Sequence, residues 1–136
     1  MNDKKGFTLL ELIIVIVIVG VLAGIAFPQF FRVVENSRVA EARIAVGAIR
    51  QGIERCYLMN SGSYATCSTF PVLSLEDPGT TPNSHFTYAI SGTVISAFTV
   101  TSTRNTRDGG SSANTLSLTC NPNCAWSGTG AYTGFQ

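Results

Sequence analysis

Apolar residues are grouped along this chain, and the grouping predicts most of its elements. Residues 7–31 form an almost unbroken apolar run, FTLLELIIVIVIVGVLAGIAFPQFF, in which Glu11 is the single charged side chain. At about 1.5 Å per residue, a helix of this length crosses a hydrocarbon core of roughly 30 Å. Beyond Phe31 the composition changes but the helical rhythm continues. Val39, Ala42, Val46, Ile49, Ile53 and Tyr57 fall close to one stripe, while Arg32, Glu35, Arg38, Arg43, Arg50 and Glu54 lie largely elsewhere. The pattern predicts one long helix over about residues 8–59, apolar all round in its first half and amphipathic in its second. The apolar stripe of the second half is expected to cover the core of a small domain.

Asn60-Ser61-Gly62-Ser63 supplies the helix stop, with Gly62 suited to a position beyond the C-cap. Residues 60–84 carry Pro71, Pro78, Gly79 and Pro82 with no sustained period and read as a connecting loop. Two runs rich in β-branched and aromatic residues follow, 85–90 and 93–101, with a tight turn expected at Ser91-Gly92. Residues 115–119 alternate more cleanly and place Leu116 and Leu118 on one face of a third strand. The tail, 125–136, alternates small and aromatic residues; it is expected to add an edge strand or to pack back on the sheet, with Trp126 in the core. A sheet of three or four strands can bury one face on the helical stripe, whereas neither element is stable alone at this size. The fold class is α+β, a small antiparallel head covering residues 32–136 on a helical stalk.

Composition narrows the function classes. The 136 residues fit one ordinary domain, and the charged share of 12% is about half the globular norm of roughly 25%. Nine Lys and Arg against eight Asp and Glu leave a net charge of +1, which removes the strongest argument for nucleic-acid binding. Arg104 and Arg107 lie in a polar stretch, 102–114, expected to be a solvated surface loop. Two arginines beside Asp108 do not make a basic stripe, so nucleic acid is disfavoured as a partner.

Four cysteines and one histidine, His85, give little material for a zinc site, and no metal or cofactor is expected. The even number fits two disulfides in an oxidising compartment. Four cysteines allow three connectivities and their order does not decide among them. Pairing of neighbours, Cys56 with Cys67 and Cys120 with Cys124, is preferred because each pair flanks a local bend. No arrangement of acidic residues suits acid–base chemistry, so the chain is not expected to be an enzyme.

The apolar run is not followed by a small-residue cleavage site, and periodic sequence continues directly past Pro28. It is therefore read as a retained helix rather than a secretory signal. Lys4 and Lys5 precede it and orient its start to the cytoplasm. Glu11 then needs an explanation, because an ionised carboxylate in hydrocarbon costs several kcal/mol unless paired or displaced toward the interface. It could reach headgroups at the cytoplasmic end. If the chain were cut between Gly6 and Phe7, a new α-amino group would lie about one turn from Glu11, in the same chain or in a packed neighbour. Gly20 and Gly24 make a G-x-x-x-G spacing that permits close helix approach, and Pro28 should weaken the helix locally.

The string Lys5-Gly6-Phe7-Thr8-Leu9-Leu10-Glu11, followed by an apolar run with Pro28 near its end, resembles the class III signal and N-terminal helix of type IV pilins, particularly the type IVa group, and of type II secretion pseudopilins. The resemblance implies a leader, residues 1–6, removed after Gly6 by a prepilin peptidase, and N-methylation of Phe7. It implies a pilin fold, in which residues 7–31 anchor the precursor in the inner membrane and then form the core of a helical homo-oligomeric filament outside the cell. The implied partners are the inner-membrane pilus assembly machinery and minor pilins. In such filaments the stretch between glycine and proline is often melted, so residues 20–27 are expected to extend there while staying helical in the bilayer. Loss of the leader takes Asp3, Lys4 and Lys5 with it and leaves seven charges of each sign. A pseudopilin would often carry an acidic calcium-binding loop near its C-terminus, and Asp108 is the only acidic residue in 101–136. A minor pilin with a DNA-binding or priming role is the other alternative.

Overall fold

The computed structural model describes residues 6–135. Residues 1–5 of the expected leader 1–6, Lys4 and Lys5 among them, and the last residue of the tail lie outside the described residues. The elements are a helix α1 (Leu9–Met59) and strands β1 (Phe86–Ser91), β2 (Phe98–Arg104), β3 (Thr115–Asn121) and β4 (Asn123–Gly128). The four strands form one antiparallel sheet in the order β1-β2-β3-β4. The chain divides into two compact units, one ending at Ser37 and one beginning at Arg38.

In the first unit the helical assignment is uninterrupted through Gly20, Gly24 and Pro28. The large apolar side chains between Leu9 and Phe31 are exposed throughout. A Cβ built on Gly20 or Gly24 would meet nothing within 4 Å, so the G-x-x-x-G face lies open. The extension expected for residues 20–27 concerns a filament; in the single chain they are helical.

The second unit is organised by the predicted stripe. Val39, Ala42, Val46, Ile49 and Ile53 are each at most 2% exposed. They share a core with Phe86 and Tyr88 of β1, Phe98 and Val100 of β2, and Leu116 and Leu118 of β3. Burying one such aliphatic or aromatic side chain is worth about 1.5–3 kcal/mol, and only a two-layer arrangement lets helix and sheet both collect it. The helix stops where its sequence says it should. Gly62, at φ +80°, donates its N–H to the Tyr57 carbonyl at 3.0 Å and closes the last turn.

The connection 60–84 packs more closely than a plain loop. Cys67 and Leu73 are buried in it, and Tyr64 sits between the rings of Tyr57 and Phe98 at 4.3 and 4.9 Å. A Cβ on Gly52 would come within 2.5 Å of Leu75 Cδ1, so the glycine in α1 is what lets this segment approach. The structure pairs Cys56 with Cys67, Cα atoms 5.9 Å apart, which ties the segment to the last turns of α1. It pairs Cys120 with Cys124 across the β3–β4 hairpin.

The second strand differs from expectation. The pattern predicts a strand over 93–101 after a tight turn at Ser91-Gly92, but β2 begins at Phe98 and extends to Arg104. Residues 93–97 instead form a narrow loop in which the Val94 N–H donates to the Ala97 carbonyl at 3.0 Å. The Ile95 carbonyl accepts from the Tyr64 N–H at 3.4 Å, so the connection 60–84 competes successfully for this backbone. Every second residue of β2, namely Phe98, Val100, Ser102 and Arg104, is then buried. The tail does both things expected of it. β4 is the edge strand, and a single 3-10 turn, Gly130–Tyr132, folds back to bury Tyr132. Trp126 is half-buried and packs against the core from β4, with the Arg43 guanidinium 5.3 Å above its ring.

Leu116→Ala should cost the head about 2–5 kcal/mol, because it empties a fully buried site. Ser127→Ala, on the exposed side of β4, should stay within about 0.5 kcal/mol. Denaturant unfolding of the full chain in detergent, followed by near-UV circular dichroism, checks the contrast.

Candidate functional site

The start of α1 carries the motif singled out in the sequence. Gly6, Phe7 and Thr8 precede the first helical residue, and the Phe7 side chain is 88% exposed. Thr8 and Glu11 cap the helix reciprocally. The Thr8 Oγ1 accepts from the Glu11 N–H at 3.2 Å, while Glu11 Oε2 accepts from the Thr8 N–H at 2.9 Å and from the Thr8 hydroxyl at 2.8 Å. This is a capping box, worth about 1 kcal/mol at a typical helix start. The sequence reading sought a cation for Glu11 and missed this role, although Thr-x-x-Glu ahead of an apolar run is its signature. The two roles are compatible, since capping supplies dipoles to the carboxylate and leaves its charge in place.

The exposed apolar helix contains an 18-residue stretch apolar enough to cross a membrane, none of it buried within the chain. The side chains of Ala23, Ala26, Phe27 and Phe30 line an open apolar hollow on its surface. A surface this apolar on a single chain marks an interaction site.

Arg104 is placed differently from expectation. It is fully buried rather than part of a solvated loop. The guanidinium donates to the carbonyls of His85 and Asn105 at 3.2 and 3.1 Å and to Asn105 Oδ1 at 3.1 Å. It also lies 5.9 Å from the Phe86 ring centroid. Buried cations persist only when hydrogen-bonded in this way. A Cβ on Gly110 would strike the Asn105 carbonyl and approach Arg104 Cζ to 2.6 Å, so this glycine completes the enclosure. Arg107 is exposed, and its guanidinium donates to the Pro82 carbonyl. The structure thus does not bring the two arginines together as a basic surface.

A charged cluster that the sequence did not reveal joins α1 to the β2–β3 loop. His85 Nε2 lies 3.1 Å from Asp108 Oδ2, and its Nδ1 lies 3.3 Å from Glu41 Oε2. Arg38 Nη1 lies 3.5 Å from the same Asp108 oxygen. Asp108 adopts φ +53°, in the left-handed region, which Asp tolerates better than most residues. Partial desolvation pushes the Asp108 carboxyl up, but the hydrogen bonds from His85 and Arg38, with their charges, outweigh it and hold the carboxyl below its ordinary value. Burial, reinforced by Glu41 and Asp77, pushes the Tyr88 phenol up to about 12. Among the described residues no group of three or more His, Cys, Asp or Glu side chains is arranged to hold a metal ion.

An exposed apolar helix with a capped, charged start, continued into a helix-on-sheet head, defines a membrane-capable α+β protein of pilin-like architecture. Known proteins give the same reading. The family described as "Prokaryotic N-terminal methylation motif" matches residues 1–27. The Type IV narrow pilus major component PilA5 of Thermus thermophilus is 33% identical over 117 residues, 86% of this chain and 97% of that protein. The Type IV major fimbrial protein FimA of Dichelobacter nodosus is 46% identical over 55 residues, 40% of this chain and 35% of that protein. A Fimbrial protein of Pseudomonas aeruginosa is 41% identical over 58 residues, 43% of this chain and 38% of that protein. The match thus spans about a third of the FimA relative and nearly all of the Thermus one. The chain belongs to the type IV pilin family.

Because Asp108 titrates below the unfolded value of about 3.9, its tether should stabilise the head above that pH and be lost as pH falls through the lowered value. An NMR titration of the carboxyl carbon should give a midpoint below that of a free Asp. In an Arg38→Gln/His85→Gln variant the midpoint should move back up; an unchanged midpoint would remove the cluster as its cause.

Proposed function

We propose that the chain is a structural subunit of a type IV pilus, processed after Gly6, N-methylated at Phe7, and polymerised through residues 7–31 into an extracellular filament. The observation that carries this reading is the run of exposed apolar side chains from Leu9 to Phe31 behind the Thr8–Glu11 cap. Before assembly the same surface faces the hydrocarbon of the inner membrane; afterwards it faces other subunits. The mechanism is assembly rather than turnover. Prepilin peptidase and the inner-membrane assembly machinery are its partners, with minor pilins among the co-assembling proteins.

Glu11 has a definite part in this. Its carboxylate stays charged after capping, and the α-amino group freed at Phe7 is the nearest complement, in the same chain or in a neighbour. Pairing removes the cost of a lone charge in an apolar medium, so correct axial register is favoured over neighbouring ones. Gly20 and Gly24 allow close approach of helices there, and Pro28 lowers the cost of extending residues 20–27 in the filament. With the leader gone the subunit has equal numbers of positive and negative side chains, and stacking many copies accumulates little repulsion.

A pseudopilin role is disfavoured because Asp108, the only acidic residue in 101–136, is engaged by Arg38 and His85. DNA binding by the β2–β3 loop loses one of its two arginines to the interior.

Mass spectrometry of the native chain should find an N-terminus at Phe7, one methyl group heavier than the free amine. Gly6→Asp should leave the leader attached and abolish filaments. Glu11→Val should permit cleavage yet sharply reduce filaments seen by electron microscopy, and abundant Glu11→Val filaments would exclude the charge pairing as a requirement.

A further inference from the structure

Several large apolar side chains of the head are exposed, Leu58, Met59 and Val72 among them, and two further apolar features bear on assembly. The first is the tip of the β1–β2 loop, where Val94 and Ile95 are 55% and 72% exposed. Exposed loop tips ordinarily carry turn-forming polar residues. This one carries no charged residue from Ser91 to Phe98. It is held in place by the Val94–Ala97 hydrogen bond and by the Tyr64 N–H on the Ile95 carbonyl, with Tyr64 itself stacked between Tyr57 and Phe98. The tip is an anchored apolar knob.

The second feature is a mostly apolar groove of about 320 Å³ lined by Ile44, Ala45, Ala48, Pro78 and Tyr88, with Glu41 and Thr81 as polar members. Ile44, on α1, is 76% exposed although the buried stripe runs beside it. Tyr64, which holds the Ile95 carbonyl, stacks on Tyr57, and Tyr57 lies beyond Ile44 and Ala48 along α1 by roughly 14–20 Å. Knob and groove of one chain are therefore separated along the helix direction.

We propose that Val94 and Ile95 of one subunit seat in the Ile44–Tyr88 groove of a second copy of this chain in the filament. The proposal rests on the reading of the chain as a filament subunit, which makes a second copy the partner present at the highest local concentration. An open helical polymer repeats a heterologous contact and so needs two different, complementary patches on each subunit. A knob and a groove of matching chemistry, displaced along α1, are such a pair. The loop brings no charge of its own to be desolvated on entry, and the one carboxylate lining the groove, Glu41, faces His85 Nδ1 at 3.3 Å.

The test uses assembled filaments of the full chain carrying Ile44→Cys and Ile95→Cys. The four native cysteines are paired in disulfides. Mild oxidation should produce a ladder of covalent dimers and higher multimers that neither single variant gives, and that a Leu58→Cys/Ile95→Cys variant does not give. Filaments of the first variant without a ladder, or a ladder as strong with Leu58→Cys, would overturn the contact while leaving the filament reading intact. An arm without engineered cysteines covers failed assembly. Ile95→Glu filaments should shed subunits at lower temperature than wild type, and adding Ile44→Lys should reverse much of that shift; no shift, or no reversal, counts against the contact. If the wild-type chain forms no filaments, the reading beneath the proposal fails, and the proposal with it.

Discussion

Neither the second half of α1 nor the four-stranded sheet can bury an apolar face alone, and each is the other's missing layer. Val46, Ile49 and Ile53 on the helix meet Phe98, Val100, Leu116 and Leu118 on the sheet, and the other features of the head depend on that contact. It sets which residues of β2 face inward. It brings the connection 60–84 within reach of Tyr57 and Phe98, and the Cys56–Cys67 bond holds it there. It also places His85 and Asp108 beside Arg38 and Glu41, so a charged cluster appears where the sequence shows four scattered residues.

The same helix has a different task in its first unit, where it has no sheet to cover it. Apolar side chains point outward on every side, which is stable for a chain in lipid or in a helix bundle and costly in water. The few charges are accordingly concentrated in the head. Glu11 is the single charged side chain within residues 7–31, and its bond to Thr8 shows how a carboxylate can serve the helix start while keeping the charge that a neighbouring amine could satisfy. A single residue thus joins local helix chemistry to the proposed register of assembly.

Arg104 shows where linear reading runs out. In sequence it stands in a run of polar residues beside Asn105 and Arg107, and solvent exposure is the ordinary expectation. In the fold it is the last inward position of β2, wrapped by the carbonyls of His85 and Asn105 and closed over by Gly110. Before the other end of the strand the reverse holds: Val94 and Ile95, apolar and β-prone, lie outside the sheet, where the Ile95 carbonyl accepts from the Tyr64 N–H. Each difference involves a partner far along the chain, His85 for Arg104 and Tyr64 for Ile95, which no local pattern contains.

What the sequence determined by itself is the set of features whose physics is local. The 3.6-residue period specifies α1 almost to its end residues. Gly62 specifies its stop, the alternation of Leu116 and Leu118 specifies an inward face, and the Gly6–Phe7–Glu11 motif specifies the family. The tertiary structure decided the features that depend on competition between distant segments: the start of β2, the burial of Arg104, the union of His85 with Asp108 and Glu41, and the exposure of Ile95. A backbone carbonyl or a guanidinium takes the best partner that folding brings within about 3 Å. Which partner arrives is set by the packing of helix on sheet, not by the residues on either side.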